Sequence, residues 1–195
     1  MCSVHPMIVT LTGSMEGKQM KNEGIDLKRY IRDVPDWPKE GILFRDITPL
    51  LINPAAFEAA VDALCADFMD AGVEYVAAVE ARGFIFGAAV AEKLGVGFVP
   101  IRKKGKLPWR TETISYDLEY GTDALEVHCD AVENGRKVLM VDDLLATGGT
   151  MAAACKLIEK IGGIVAGIAF LVELADLQGR EKIANYKVAS VISYG

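Results

Sequence analysis

The sequence has little with which to build a resident metal centre or a disulfide framework: its 195 residues include two histidines and four cysteines. His5 and His128 stand far apart with no cysteine at ligand spacing, which argues against a protein-held zinc or iron site. Cys2, Cys65, Cys129 and Cys155 are scattered, and Cys65 and Cys155 fall in apolar helical patterns where a thiol acts as a small hydrophobe. A reduced, cytoplasmic setting is expected. No apolar run approaches the roughly 20 residues that cross a bilayer, because Gly, Asp, Glu or Lys interrupts each one, so no membrane partner is expected. Positive charge is also in deficit. The 21 Lys and Arg against 27 Asp and Glu leave a net charge of −6, which disfavours a general nucleic-acid surface but not a local basic cluster for a phosphorylated small molecule. No internal repeat or low-complexity tract points to a solenoid, coiled coil or disordered tail. Residues 7–11 form an apolar patch with no basic residue before it and no small-residue cleavage site, so residues 1–24 are read as a loose leader, not a signal peptide.

About half of the chain, 51%, is apolar, enough to bury the core of one domain over residues 25–195. Residues 26–32 read as a short helix, and Pro35, Pro38 and Gly41 then break regularity before an extended stretch at 42–47. Asn53 and Pro54 are a cap and a first-turn residue, and Phe57, Val61, Leu64 and Phe68 follow at helical spacing. Residues 73–79 predict a strand, 84–94 a helix and 96–101 a second strand. A polar stretch at 103–112 predicts a mobile loop before strand-like segments at 114–120 and 125–128. Residues 137–141 predict a third buried strand, 142–150 a turn, 151–161 a helix, 164–172 a fourth strand, and 188–193 a closing strand. Strands alternating with helices predict an α/β fold: a single domain with a mostly parallel twisted sheet flanked by helices, with ligands bound at the carboxyl ends of the strands.

The most informative string is Val138-Leu139-Met140-Val141-Asp142-Asp143-Leu144-Leu145-Ala146-Thr147-Gly148-Gly149-Thr150. Gly148 and Gly149 let the backbone approach an anion, Thr147 and Thr150 add hydroxyl donors, and the helix start supplies free N–H groups. A carboxylate would repel that anion, so Asp142 and Asp143 are better matched to vicinal ribose hydroxyls, directly or through a hydrated divalent cation. Together these parts fit a ribose 5-phosphate. A bare Gly-Gly-Thr would read as an ordinary turn and helix cap. The Gly-Lys-Ser/Thr ending of a nucleotide-triphosphate loop and the Gly-x-Gly-x-x-Gly of a dinucleotide site are both missing.

The string from Val141 to Thr150 resembles the phosphoribosyl pyrophosphate (PRPP) motif of the type I phosphoribosyltransferases, in their adenine-specific form. Three further segments carry the same resemblance in order. Gly41-Ile42-Leu43-Phe44-Arg45-Asp46-Ile47-Thr48-Pro49 is similar to the hood that covers the base, and Glu80-Ala81-Arg82-Gly83-Phe84 to the pyrophosphate loop. Arg102-Lys103-Lys104-Gly105-Lys106-Leu107-Pro108 and Leu118-Glu119-Tyr120-Gly121 are similar to the two ends of a flexible catalytic loop. The resemblance covers residues 27–195. It implies the type I phosphoribosyltransferase fold with a small N-terminal hood at about 33–50 and a catalytic loop at about 103–120. It also implies a purine-salvage reaction in which adenine and PRPP give AMP and pyrophosphate, with Mg2+ carried by PRPP and no direct protein ligand, and a homodimer with Arg82 near its interface.

Residue by residue, the resemblance assigns ribose and phosphate binding to Asp142, Asp143, Ala146, Thr147, Gly148, Gly149 and Thr150. Pyrophosphate binding falls to Glu80, Ala81, Arg82 and Gly83, with a cis non-proline peptide implied in that loop, and to Lys103 and Lys106. A surface arginine paired with Glu80 is the plain alternative for Arg82, and a solvated basic run is the alternative for Lys103, Lys104 and Lys106. Glu119 is the candidate general base and Tyr120 its companion; a solvent-facing strand residue is the alternative for Glu119. Leu43, Phe44 and Arg45 would select the base. A backbone carbonyl near Leu43 and an N–H near Arg45 would match the 6-amino group of adenine and leave a 6-oxo purine with an unpaired contact. Phe44 as core filler is the alternative there. Trp109 and Arg110 stand where the family varies and receive no role. A 6-oxo purine phosphoribosyltransferase is the nearest rival. A purine-sensing regulator would need a DNA-binding module that the acidic chain lacks, and a phosphoacceptor domain would not call for the Ala-Thr-Gly-Gly-Thr turn.

Overall fold

The computed structural model describes residues 24–117 and 122–195. Asp26 accepts the N–H of Lys28 and opens a single 3-10 turn, Leu27–Tyr30, after which Ile31 is already extended. The helix expected over 26–32 is therefore only this turn. So short a run propagates poorly, and strand β1 (Arg32–Val34) gains its hydrogen bonds instead by antiparallel pairing with β2 (Phe44–Asp46). A short helix α1 (Thr48–Leu51) follows, then α2 (Pro54–Ala66), where Asn53 accepts the N–H of Ala56 at 3.0 Å as a side-chain cap.

The alternating pattern downstream forms β3 (Tyr75–Val79), α3 (Gly83–Leu94), β4 (Gly97–Lys103), β5 (Thr111–Asp117), β6 (Thr122–His128), β7 (Lys137–Leu145), α4 (Gly149–Lys160), β8 (Ile164–Leu174) and β9 (Val188–Tyr194), with 3-10 turns at Ala175–Leu177 and Gly179–Ile183. Among the described residues these strands make one seven-stranded sheet of order β5-β6-β4-β3-β7-β8-β9. The stretch from β4 to β9 is parallel throughout, and β6 and β5 add an antiparallel edge.

Period-two alternation divides the core between two faces. Val76, Leu139, Val141, Ala169 and Leu171 pack with Leu64 and Phe68 near α2 and with Phe86 and Val90 of α3. Ala77, Val138, Met140, Ile168 and Phe170 pack instead with Ala154, Leu157 and Ile158 of α4. The chain leaves β3 through α3 toward β4, and leaves β7 through α4 toward β8. Adjacent strands thus send their helices to opposite faces, and the crevice at their carboxyl ends is the place where such sheets bind ligands.

Two expectations are corrected. β7 does not stop at Val141 but runs to Leu145, because Asp142, Leu144 and Leu145 still pair with Phe170, Val172 and Glu173 of β8. The polar stretch at 103–112 is not one irregular loop: Lys103 completes β4, and Thr111 and Glu112 begin β5 opposite His128 and Val127. Cross-strand pairing overrides polarity there.

Candidate active site

The turn between β7 and α4 is shaped by backbone contact. Gly148 has φ +75°, and a Cβ placed on it would lie 2.2 Å from the carbonyl oxygen of Gly179. Only glycine fits that combination of left-handed backbone and close approach. No side chain caps the N-terminus of α4, so its first N–H groups face the turn with the helix dipole behind them, an arrangement suited to an anion. Thr147 and Thr150 are half-buried beside it, and the Thr150 hydroxyl lies 3.4 Å from the Tyr116 hydroxyl on β5.

Just upstream, the two carboxylates lie in different surroundings. Asp143 is buried and accepts the Nε–H of Arg82 at 2.6 Å. Asp142 keeps some opening to solvent and accepts the N–H of Asp143 at 2.9 Å. Crowding by protein raises its pKa, and the adjacent Asp143 charge raises it further, well above the usual carboxylate range. The two side chains thus present a pair of carboxylate acceptors at the strand end.

The second loop leaves β3 at Val79. Its Glu80–Ala81 peptide is cis, the isomer the resemblance implies. A Cβ on Gly83 would sit 2.6 Å from Oδ1 of Asp142, so this glycine lets the loop close directly on the acidic pair. Arg82 pairs with Asp143 and not with Glu80. Glu80 instead accepts the N–H of Lys103 at 2.7 Å, Arg102 Nη2 at 3.1 Å and Lys106 Nζ at 3.2 Å. Burial opposes its ionisation, but these three donors outweigh burial and hold the carboxyl below the ordinary glutamate range. Its side chain organises the basic run; what the loop offers an anion is Arg82 and the backbone around Ala81 and Gly83.

The basic run is tied down a second time. Glu126, buried on β6, accepts the N–H groups of Lys106 and Leu107 at 2.9 and 2.8 Å. Lys103 Nζ meets Asp123 at 3.0 Å. Both expected pyrophosphate lysines therefore hold carboxylates in this structure. Glu119 and Tyr120 lie outside the described residues. In the hood segment, Phe44 stacks edge-on against Trp37 and lies 5.5 Å from the Arg82 guanidinium carbon, which brings β2 to the cleft. The Arg45 side chain turns elsewhere, to Asp33 and the ring of Tyr194. Leu43 is exposed.

The two loops enclose a cleft of about 400 Å³ lined by residues 79–82, residues 142–151 and Phe170. Segments about sixty residues apart in sequence thus form one site. Its oxygen donors suit a hard divalent cation held through water and substrate oxygens; Arg82 already engages Asp143, and no cluster of three or more His, Cys, Asp or Glu converges among the described residues. Several supports had little signal in the sequence. Gly179 lies behind the phosphate turn within a polar stretch, and Glu126, between Leu125 and Val127, reads as the solvent-facing position of an alternating strand although it is buried.

Residues 50–193 match the family described as phosphoribosyl transferase domain. The chain is 55% identical over 170 residues to adenine phosphoribosyltransferase of Pseudothermotoga lettingae, covering 87% of this chain and 100% of that one. It is 56% identical to adenine phosphoribosyltransferase of Thermotoga maritima, with 87% and 98% covered. Among solved structures, adenine phosphoribosyltransferase of Thermoanaerobacter pseudethanolicus superposes with a TM-score of 0.84 at 52% identity, over 86% of this chain and 98% of that one. The Saccharomyces cerevisiae enzyme, complexed with adenine and an imino-altritol bisphosphate, gives 0.81 at 41%, over 85% and 96%. With a cleft built from the two expected anion loops and with matches of this extent, the chain belongs to the adenine phosphoribosyltransferase family of phosphoribosyl transferase domains.

Proposed function

We propose that the protein joins adenine to the ribose of PRPP, releasing AMP and pyrophosphate, and so serves purine salvage. The observation that carries this reading is the juxtaposition, in one cleft, of an uncapped helix start, a paired-carboxylate strand end and an arginine loop. Their chemistry matches the 5-phosphate, the ribose hydroxyls and the diphosphate of one substrate. Relatives of the same name at about 55% identity support it, as does adenine in the yeast complex.

In this mechanism the backbone N–H groups of residues 147–150 and the hydroxyls of Thr147 and Thr150 bind the 5-phosphate. Asp142 and Asp143 hold the ribose hydroxyls. Arg82 exchanges its pairing with Asp143 for the diphosphate, and Lys103 and Lys106 leave Asp123 and Glu80 to join it. These pairs hold the lysine side chains near the cleft before substrate arrives. Asp142 and Asp143 would hold, through water, a magnesium ion arriving with PRPP, which would supply charge neutralisation to the leaving diphosphate. Displacement at the anomeric carbon passes through an oxocarbenium-like state, and exclusion of water from the cleft lets adenine outcompete hydrolysis. Glu119 takes the proton from adenine, with Tyr120 beside it, as a general base. The base stacks near Phe44 and is read by backbone groups around Leu43 and Arg45. Buried, unpaired Cys65 and Cys155 support a reducing, cytoplasmic setting. Assembly as a homodimer follows from the family resemblance.

The test is nucleoside monophosphate formation by purified protein from PRPP and each purine, with and without magnesium. AMP from adenine, dependent on magnesium, is expected. Equal use of guanine or xanthine would overturn the base assignment, and no product from any purine would overturn the transfer reaction.

A further inference from the structure

The phosphate turn owes its shape to a segment that does not line the cleft. Gly179 and Gly148 meet backbone to backbone: a Cβ on Gly179 would lie 2.2 Å from the carbonyl oxygen of Ala146, just as one on Gly148 would lie 2.2 Å from the carbonyl oxygen of Gly179. No side chain fits between them, so the turn cannot shift toward this segment unless Gly179 moves.

Gly179 is itself clamped. The next residue, Arg180, donates Nε and Nη2 to the two oxygens of Glu173 at 2.6 and 2.7 Å, a planar fork on a carboxylate only 7% exposed. It also donates to the carbonyl oxygen of Val188 at 3.1 Å and to the Ser190 hydroxyl at 3.1 Å. Arg180 is thus tied to both β8 and β9. Three residues after Arg180, Ile183 is fully buried in the core beneath α4. The Gly179–Ile183 turn is pinned at both ends, to the sheet by its guanidinium and to the core by its isoleucine.

We propose that Gly179, held by the Arg180–Glu173 fork, is a positioning element for the phosphate turn: it transmits the rigidity of the sheet edge to residues 146–148 and presets their backbone for the 5-phosphate. This rests on the phosphoribosyl-transfer reading. The arginine touches no substrate and acts only through the turn. Its effect is therefore selective, bearing on ligands that carry the ribose phosphate and not on the free base.

The experiment compares the wild-type protein with Arg180→Lys, which keeps the charge but loses the fork, and with Gly179→Ala. Ribose 5-phosphate binding is measured by calorimetry, KM for PRPP and for adenine separately, and Tm for each protein. Displacing binding groups by about 1 Å can cost on the order of 10²-fold, so ribose 5-phosphate affinity is expected to fall about 10- to 100-fold, with KM for PRPP rising and KM for adenine unchanged. If Gly179→Ala does not fold, Arg180→Lys carries the test alone. Unchanged ribose 5-phosphate affinity in folded variants would overturn the proposal, and so would a uniform weakening of every ligand in step with a fall in Tm. A wild-type protein that fails to bind ribose 5-phosphate sinks the parent reading as well; a wild type that binds it beside unaffected variants sinks only this inference.

Discussion

Asp142 pays in stability for its place in the cleft. Its carboxyl group is raised well above the ordinary range by burial and then by the Asp143 charge. A raised folded-state pKa contributes stability that is fully present below the unfolded value and lost as pH rises through the folded value. Above the ordinary carboxylate range, ionising this side chain is therefore a liability that Asn would relieve. Asp142→Asn is expected to raise Tm at pH 7, with the difference vanishing in acid, while activity falls; thermal melts across pH check both. Gly83→Ala acts on the same atom, since its new Cβ would meet Oδ1 of Asp142 at 2.6 Å. A misplacement of that kind is expected to lower kcat/KM by about 10²-fold. Glu119→Gln should lower turnover by roughly 10²–10⁴ with PRPP affinity unchanged, as loss of a general base requires. Wild-type turnover in that variant would end the assignment.

The elements show where the sequence could be read and where it could not. Asn53 and Pro54 announced α2, and the unbroken apolar run from Val138 to Val141 announced a buried strand at β7, because local chemistry and burial agree there. The acidic end of β7 was read as turn because two carboxylates oppose strand propensity; pairing with β8 overrides it. The polar run from Lys103 onward looked mobile, yet Glu80 and Glu126 capture its backbone from 19 to 23 residues away, a contact no local window contains. Glu126→Ala would leave the part-buried N–H groups of Lys106 and Leu107 without their acceptor. It is expected to destabilise the protein by about 1–3 kcal/mol and to raise KM for PRPP; denaturant melts and kinetics on one sample check this. The phosphate motif was legible because its residue types carry their chemistry locally. Its buttress at Gly179 was not, because that role exists only in contact with Gly148.

At the scale of the molecule, the site follows from topology. β3 and β7 are neighbours whose helices depart to opposite faces, so the loops after them must flank one crevice. Several acidic groups that hold the surrounding structure share a direction of shift. Glu80 and Glu126 are raised by burial but lowered more by their donors; Glu173 is lowered chiefly by Arg180 and Asp123 chiefly by Lys103. Depressed folded-state values give stability that is present above the unfolded carboxylate range and lost as pH falls through the folded values. Acid should therefore loosen the basic turn and the Arg180 clamp together, and Tm should decline below about pH 4, the unfolded carboxylate range. A Tm that held level through that window would contradict this set of anchors.

The most direct measurement is a crystal structure of the protein grown with AMP. The 5′-phosphate is expected on the backbone N–H groups of residues 147–150, with the ribose hydroxyls toward Asp142 and Asp143 and the purine beside Phe44. A nucleotide bound elsewhere, with the N-terminus of α4 turned away from its phosphate, would contradict the account.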